Sequence, residues 1–159
     1  MNIFIDEHIK FIKLMTAAKV KFLLVGGYAV INYGYKRTTG DMDVWLKPDN
    51  GNKEKLIPVL RELEFNEEGL KSIAGFNFEK PIAFHFGQEP ARVDCLTHIS
   101  GVSFEEAYKQ KVITEIDDLE IPFINYNHLI LSKITTNRLK DKADIEELQK
   151  IQALKNKEK

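Results

Sequence analysis

The chain has 159 residues, enough for one compact domain with its own core. Its 43% hydrophobic and 30% charged content excludes wholesale disorder, and 23 Lys plus Arg against 24 Asp plus Glu leave no broad basic field for gripping nucleic acid. A single cysteine, Cys95, excludes a disulfide scaffold and a cysteine-built zinc cage within one chain.

The segment Met1–Met15 carries Asp6 and Glu7 where a secretory signal would need a basic start and an unbroken apolar run. Apolar residues there recur at three- and four-residue steps, predicting an amphipathic helix over about Ile5–Ala18. Phe22–Val25 is apolar at every position, as in a strand covered on both faces. It meets Gly26-Gly27, and a helical pattern follows at once until Gly34. The charge-free stretch 22–35 is interrupted by glycines and Asn32 and falls short of the ~20 apolar residues that cross a bilayer. The expectation is a cytoplasmic protein without a membrane segment.

After a polar loop, Asp41–Leu46 reads as the next strand, and Lys53–Phe65 as a helix that Pro58 starts or kinks. Asn66–Lys80 has no clear pattern. Pro81–Phe86 and Ala91–Thr97 flank a Gly-Gln-Glu-Pro turn and predict an antiparallel hairpin. Ser103, with Glu106 three residues later, makes a capping box for a short helix. Val112–Ile116 and Leu119–Ile124 around Asp117-Asp118 predict a second hairpin. A final helical region, broken near Asn137, runs to about Gln152 and leaves a frayed polar tail. The expected architecture is α+β: one domain over 1–159, with a mixed sheet core over about 20–125 and helices over about 126–152.

Asp41 and Asp43 are acids at i and i+2, which on a strand share one face with α-carbons ~6.5–7 Å apart. Their carboxylates could therefore reach one metal ion or a pair of ions. Spacing alone carries no weight, because chance supplies about four such pairs in a chain this acidic, and 62/64, 115/117 and 118/120 repeat the pattern. Context distinguishes the first pair. Met42, Val44 and Leu46 take the opposite, buried face, and a strand, Gly-Gly, helix turn lies just upstream. Free amides at a helix start attract anions, and Gly26 and Gly27 have no side chains to keep a phosphate away. A third acid, Asp94, lies between Val93 and Cys95, where it is costly to desolvate unless it faces a cleft or a cation.

Val25-Gly-Gly27, Arg37-Thr-Thr-Gly-Asp41-Met-Asp43-Val-Trp-Leu and Arg92-Val-Asp94 together resemble the nucleotidyltransferase superfamily, typified by DNA polymerase beta-like and aminoglycoside nucleotidyltransferase domains. The stretches from Ile99 and from Lys133 through Arg138 to Asp144 are similar to its small bacterial members. The resemblance implies transfer of a nucleoside monophosphate from an NTP, ATP first, to a hydroxyl acceptor on a protein, an RNA or a small molecule. It implies two Mg2+ ions, with Mn2+ as a substitute, held by Asp41, Asp43 and Asp94. The amides of Gly26, Gly27 and Tyr28 would hold the terminal phosphates.

Arg37 could contact phosphate or anchor its loop to Asp94. Lys140 and Asp144 have the spacing of an i, i+4 surface pair, and Lys133 or Lys140 alternatively reaches the triphosphate as a point charge. The four histidines lack metal-ligand spacing and read as structural, Cys95 as a core residue, and Trp45 as packing under a helix. A partner protein, as in a toxin–antitoxin pair, or a homodimer would complete the cleft of so small an enzyme. The rival reading is a nucleotide-binding or protein-interaction module with little turnover.

Overall fold

A computed structural model describes residues 4–35, 40–136 and 138–157. The first helix, α1 (Asp6–Ala17), buries His8, Ile9, Phe11, Ile12 and Met15, the face its periodicity predicts. Strand β1 (Phe22–Val25) is buried at all four positions, and α2 (Gly26–Asn32) starts directly after it. Strand β2 (Asp41–Leu46) and the helices α3 (Asn50–Glu62) and α4 (Glu67–Ala74) follow. Then come the hairpin β3 (Ala83–Phe86) and β4 (Arg92–Leu96), the short helix α5 (Phe104–Lys109), and the hairpin β5 (Val112–Ile116) and β6 (Leu119–Phe123). Two helices close the chain, α6 (Tyr126–Thr136) and α7 (Leu139–Lys157).

The strands form one mixed sheet in the order β3-β4-β2-β1-β6-β5. Strand β1 runs antiparallel to β2 and parallel to β6, while β2 runs parallel to β4. Leu23, Leu24, Met42, Val44, Trp45 and Phe123 are fully buried, so the core is built on the three central strands. Cys95 is 1% exposed, a core residue as expected. Trp45 packs edge-on against Phe104 of α5 and donates its indole N–H to the Thr97 carbonyl at 2.9 Å.

Several elements differ from expectation. Helix α3 begins at Asn50 rather than Lys53, because Asp49 caps it by accepting the Asn52 N–H at 2.6 Å. Asn52 in turn ties the edges of β1 and β2 together, accepting from the Lys21 amide and donating to the carbonyls of Lys21 and Lys47. Pro58 lies inside this helix without ending it. The segment without a clear pattern contains α4, capped by Asn66 and secured by buried Lys53, whose ammonium donates to the carbonyls of Ala74 and Phe76 at 2.8 Å each. Helix α7 continues to Lys157 instead of stopping near Gln152. Among the described residues, no helix is long and apolar enough to cross a membrane.

Candidate active site

Because β1 and β2 are antiparallel, the end of β1 lies beside the start of β2, with Val25 opposite Asp43. The chain turns there through Gly26, whose φ of 64° is in the left-handed region that side chains rarely adopt. Asp43 lies directly against this turn. An added Cβ on Gly26 would overlap the Asp43 carboxylate and come within 2.9 Å of the Asp43 Cβ. Val25 at the N-cap has no side chain that can cap α2, but the Gly27 amide hydrogen-bonds to Asp43, which serves in place of a cap.

The parallel pairing of β2 and β4 brings the third acid in. Asp43 is opposite Asp94, and Asp41 is opposite Arg92. Paired strands are ~4.8 Å apart and opposed side chains share a face, so Asp41, Asp43 and Asp94 project from the same side of the sheet. Burial raises the Asp43 carboxyl to about 6, with help from the negative charges of Asp94 and Asp41; the Gly27 hydrogen bond and the charge of Lys140 act in the opposite direction.

Asp94 is held by Arg92, whose Nη2 donates to Oδ1 at 3.0 Å while Nε lies 3.3 Å from both carboxylate oxygens. Among the described residues no three His, Cys, Asp or Glu side chains are gathered into a metal cage. The donor set nevertheless suits a hard divalent cation: three carboxylates on one face of two neighbouring strands, one of them raised above the usual carboxylate range by burial and by its neighbours' charge.

Beside Asp43 a cleft of about 290 Å³ opens between the sheet and the last two helices; of the three acids only Asp43 lines it. Gly26, Asp43 and His98 line one side; Ser132, Lys133 and Arg138 line the other. Lys133 is buried, and its ammonium binds Asp141 at 3.1 Å and Asp144 at 2.9 Å. Arg138 Nε adds a bond to Asp141 at 2.7 Å, and the Thr136 hydroxyl donates to the same carboxylate. Burial alone would raise Asp141, but the hydrogen bonds from Arg138, Thr136 and Lys133 bring it down to about 2. This network locks α6 to α7 across their break. Lys140 is exposed on α7, while Arg37 lies outside the described residues.

His8 supports the site from behind. Burial lowers its pKa, which favours the neutral ring. Nε2–H therefore donates to the Arg92 carbonyl at 3.1 Å, and the Tyr28 hydroxyl donates to Nδ1 at 3.0 Å. One histidine thus joins α1, the helix after the glycine turn and the strand that carries Asp94. The Tyr28 side chain is buried, stacked on Phe4.

A cleft of about 610 Å³ around Lys21, Phe104 and Tyr108 exceeds this one in size but contains none of the carboxylates. Chemistry rather than volume locates the candidate site.

This architecture is the nucleotidyltransferase fold. The lincosamide antibiotic adenylyltransferase LnuA, solved with lincomycin bound, is similar over 95% of this chain and 99% of its own, with a TM-score of 0.59 and 18% identity. A structure described as a "putative nucleotidyltransferase" from Thermotoga maritima is similar over 90% of both chains, with a TM-score of 0.54 and 11% identity. No curated protein matches the sequence. The chain belongs to the DUF6036 family, nucleotidyltransferases of unknown function, whose model matches residues 3–156.

Proposed function

We propose that the protein transfers a nucleoside monophosphate, AMP in the first instance, from an NTP to a hydroxyl acceptor, using divalent metal held by Asp41, Asp43 and Asp94. The observation that carries the reading is the register of Asp43 against Asp94, with Asp43 seated against the glycine turn that begins α2. The acceptor oxygen forms a bond to the α-phosphorus, the bond to the bridging oxygen breaks, and pyrophosphate departs. Magnesium, when bound, supplies charge for the triphosphate and acidifies the acceptor hydroxyl.

The chain's own residues do the remaining work. The amides at the start of α2, that of Gly27 among them, would orient the terminal phosphates. Arg138 and Lys140, whose charges act on Asp43, face the triphosphate from the helical wall. Asp94 is the acid proposed to take the acceptor's proton. Similarity to LnuA makes ATP the first donor to try, and small hydroxylated molecules such as lincomycin the first acceptors, ahead of RNA ends and protein side chains.

The test is incubation with α-labelled ATP, magnesium and a panel of acceptors. Label should move to an acceptor with release of pyrophosphate, and Asp43→Asn and Asp94→Asn should each abolish transfer. Transfer that survives both substitutions contradicts the assignment. Nucleotide binding without pyrophosphate from any acceptor supports the rival reading of a binding module, in which Arg92 keeps Asp94 engaged.

A further inference from the structure

At the other end of the sheet the chain presents a lysine-rich groove that the transfer reaction does not use. Lys21 precedes β1, and the five residue steps to Gly26 place it ~17 Å from the glycine turn. Three clefts meet at this lysine. The first, about 610 Å³, has an apolar floor of Pro48, Phe104 and Tyr108, with Lys47 and Lys109 beside it. The second, about 270 Å³, passes Lys19, Lys111 and Ile113; the third, about 180 Å³, reaches Lys55.

The charges are unequal. Six lysines border the clefts against Asp49, Glu105 and Glu120, in a chain whose net charge is −1. Lys47 and Lys109 have acids at 3.3 and 3.8 Å. Lys21 and Lys111 instead converge on Tyr108, their ammonium groups 5.9 and 4.0 Å from the ring centroid, and among the described residues neither has a carboxylate at ion-pair distance. Two cations leaning on one ring without a counter-charge make a place for anions. The end strand β5 continues the groove with Ile113, 47% exposed.

We propose that this groove binds an extended acidic segment of a partner protein, with carboxylates on Lys21 and Lys111 and an apolar side chain in the Phe104–Tyr108 cleft. Length, apolar floor and charge all point that way. Single-stranded nucleic acid fits less well, because it needs free aromatic faces for its bases. Tyr108 is stacked on Phe104 at 5.3 Å and carries Lys111 over its ring, and Phe104 is itself buried. Among the described residues the groove also has no arginine in its lining.

Calorimetry on the whole chain tests this with a peptide of about twelve residues alternating glutamate and leucine, beside glutamate–serine and lysine–leucine peptides and a single-stranded oligonucleotide of similar length. The glutamate–leucine peptide should bind, weaken as salt rises, and lose about tenfold or more in affinity with the double variant Lys21→Glu, Lys111→Glu. That variant changes exposed or half-buried side chains and should retain the wild-type melting temperature and nucleotide binding. The serine peptide should bind more weakly, and amide shifts should map to Ser103–Lys111. Absence of binding, binding that ignores the double variant, tighter binding of the oligonucleotide, or shifts centred on Gly26 and Asp43 would each overturn the proposal.

Discussion

Gly26 and Asp43 are so close that the glycine's missing side chain is the space the carboxylate occupies. The turn that begins α2 and the acid at the centre of the site are therefore one unit. Gly26→Ala should cost about 1–3 kcal/mol for the left-handed backbone, yet reduce transfer far more than stability, because Asp43 must move. Melting curves beside pyrophosphate release would separate the effects; an active, destabilised variant would show that the contact is merely structural.

Asp43 also makes stability depend on pH. Its folded value of about 6 is above its ordinary 3.8, so between those values the folded chain retains a proton that the unfolded chain has lost. Stability therefore falls as pH rises from about 4 to about 6, and the cost, about 3 kcal/mol at most, persists above that. Asp43→Asn should melt higher than wild type at pH 8, with the gain gone below pH about 4. Stabilisation by added magnesium should weaken as pH falls through about 6, since the proton competes for the same carboxylate. Thermal scans across pH, with and without magnesium, check both statements.

The Lys133 network predicts the opposite slope. Asp141, held down to about 2, contributes stability that is complete above pH about 4 and is lost as pH falls through 2. Asp141→Ala leaves Lys133 buried with one partner fewer and should cost about 3–5 kcal/mol in denaturant unfolding. Lys133→Met leaves two buried acids facing each other and should be comparably harmful.

Lys53 offers a control remote from the chemistry. Lys53→Met removes the bonds to the Ala74 carbonyl at the end of α4 and to the Phe76 carbonyl just beyond it, and should cost about 1–3 kcal/mol. Hydrogen exchange should quicken in Glu67–Ala74, while transfer remains at the wild-type rate.

What the sequence reveals is local. The strand before the glycines, the Asp41–Leu46 strand and both hairpins are short apolar runs bounded by turn residues, and each forms where that pattern places it. The start of α3 is hidden because Asn50-Gly-Asn52 has loop composition; side-chain bonds from Asp49 and Asn52 turn it into helix. Helix α4 shows only Leu70 and Ile73 as a buried face, too little for a period. In the site, Gly26, Asp41 and Asp43 are recognisable from neighbouring residues. The pairing of Asp43 with Asp94 depends on strands about fifty residues apart in the chain, which periodicity does not encode. Lys133 meets acids eight and eleven positions on, across a helix break, where the i, i+4 rule has no reach.

The claim that Asp41, Asp43 and Asp94 hold catalytic metal is tested most directly by crystals grown with Mn2+ and a non-hydrolysable ATP analogue. Anomalous difference maps should show manganese ~2.0–2.3 Å from carboxylate oxygens of Asp41 and Asp43, with Asp94 released from Arg92 towards the ion. Nucleotide bound with Asp94 still on Arg92 and no anomalous peak at these three acids would contradict it.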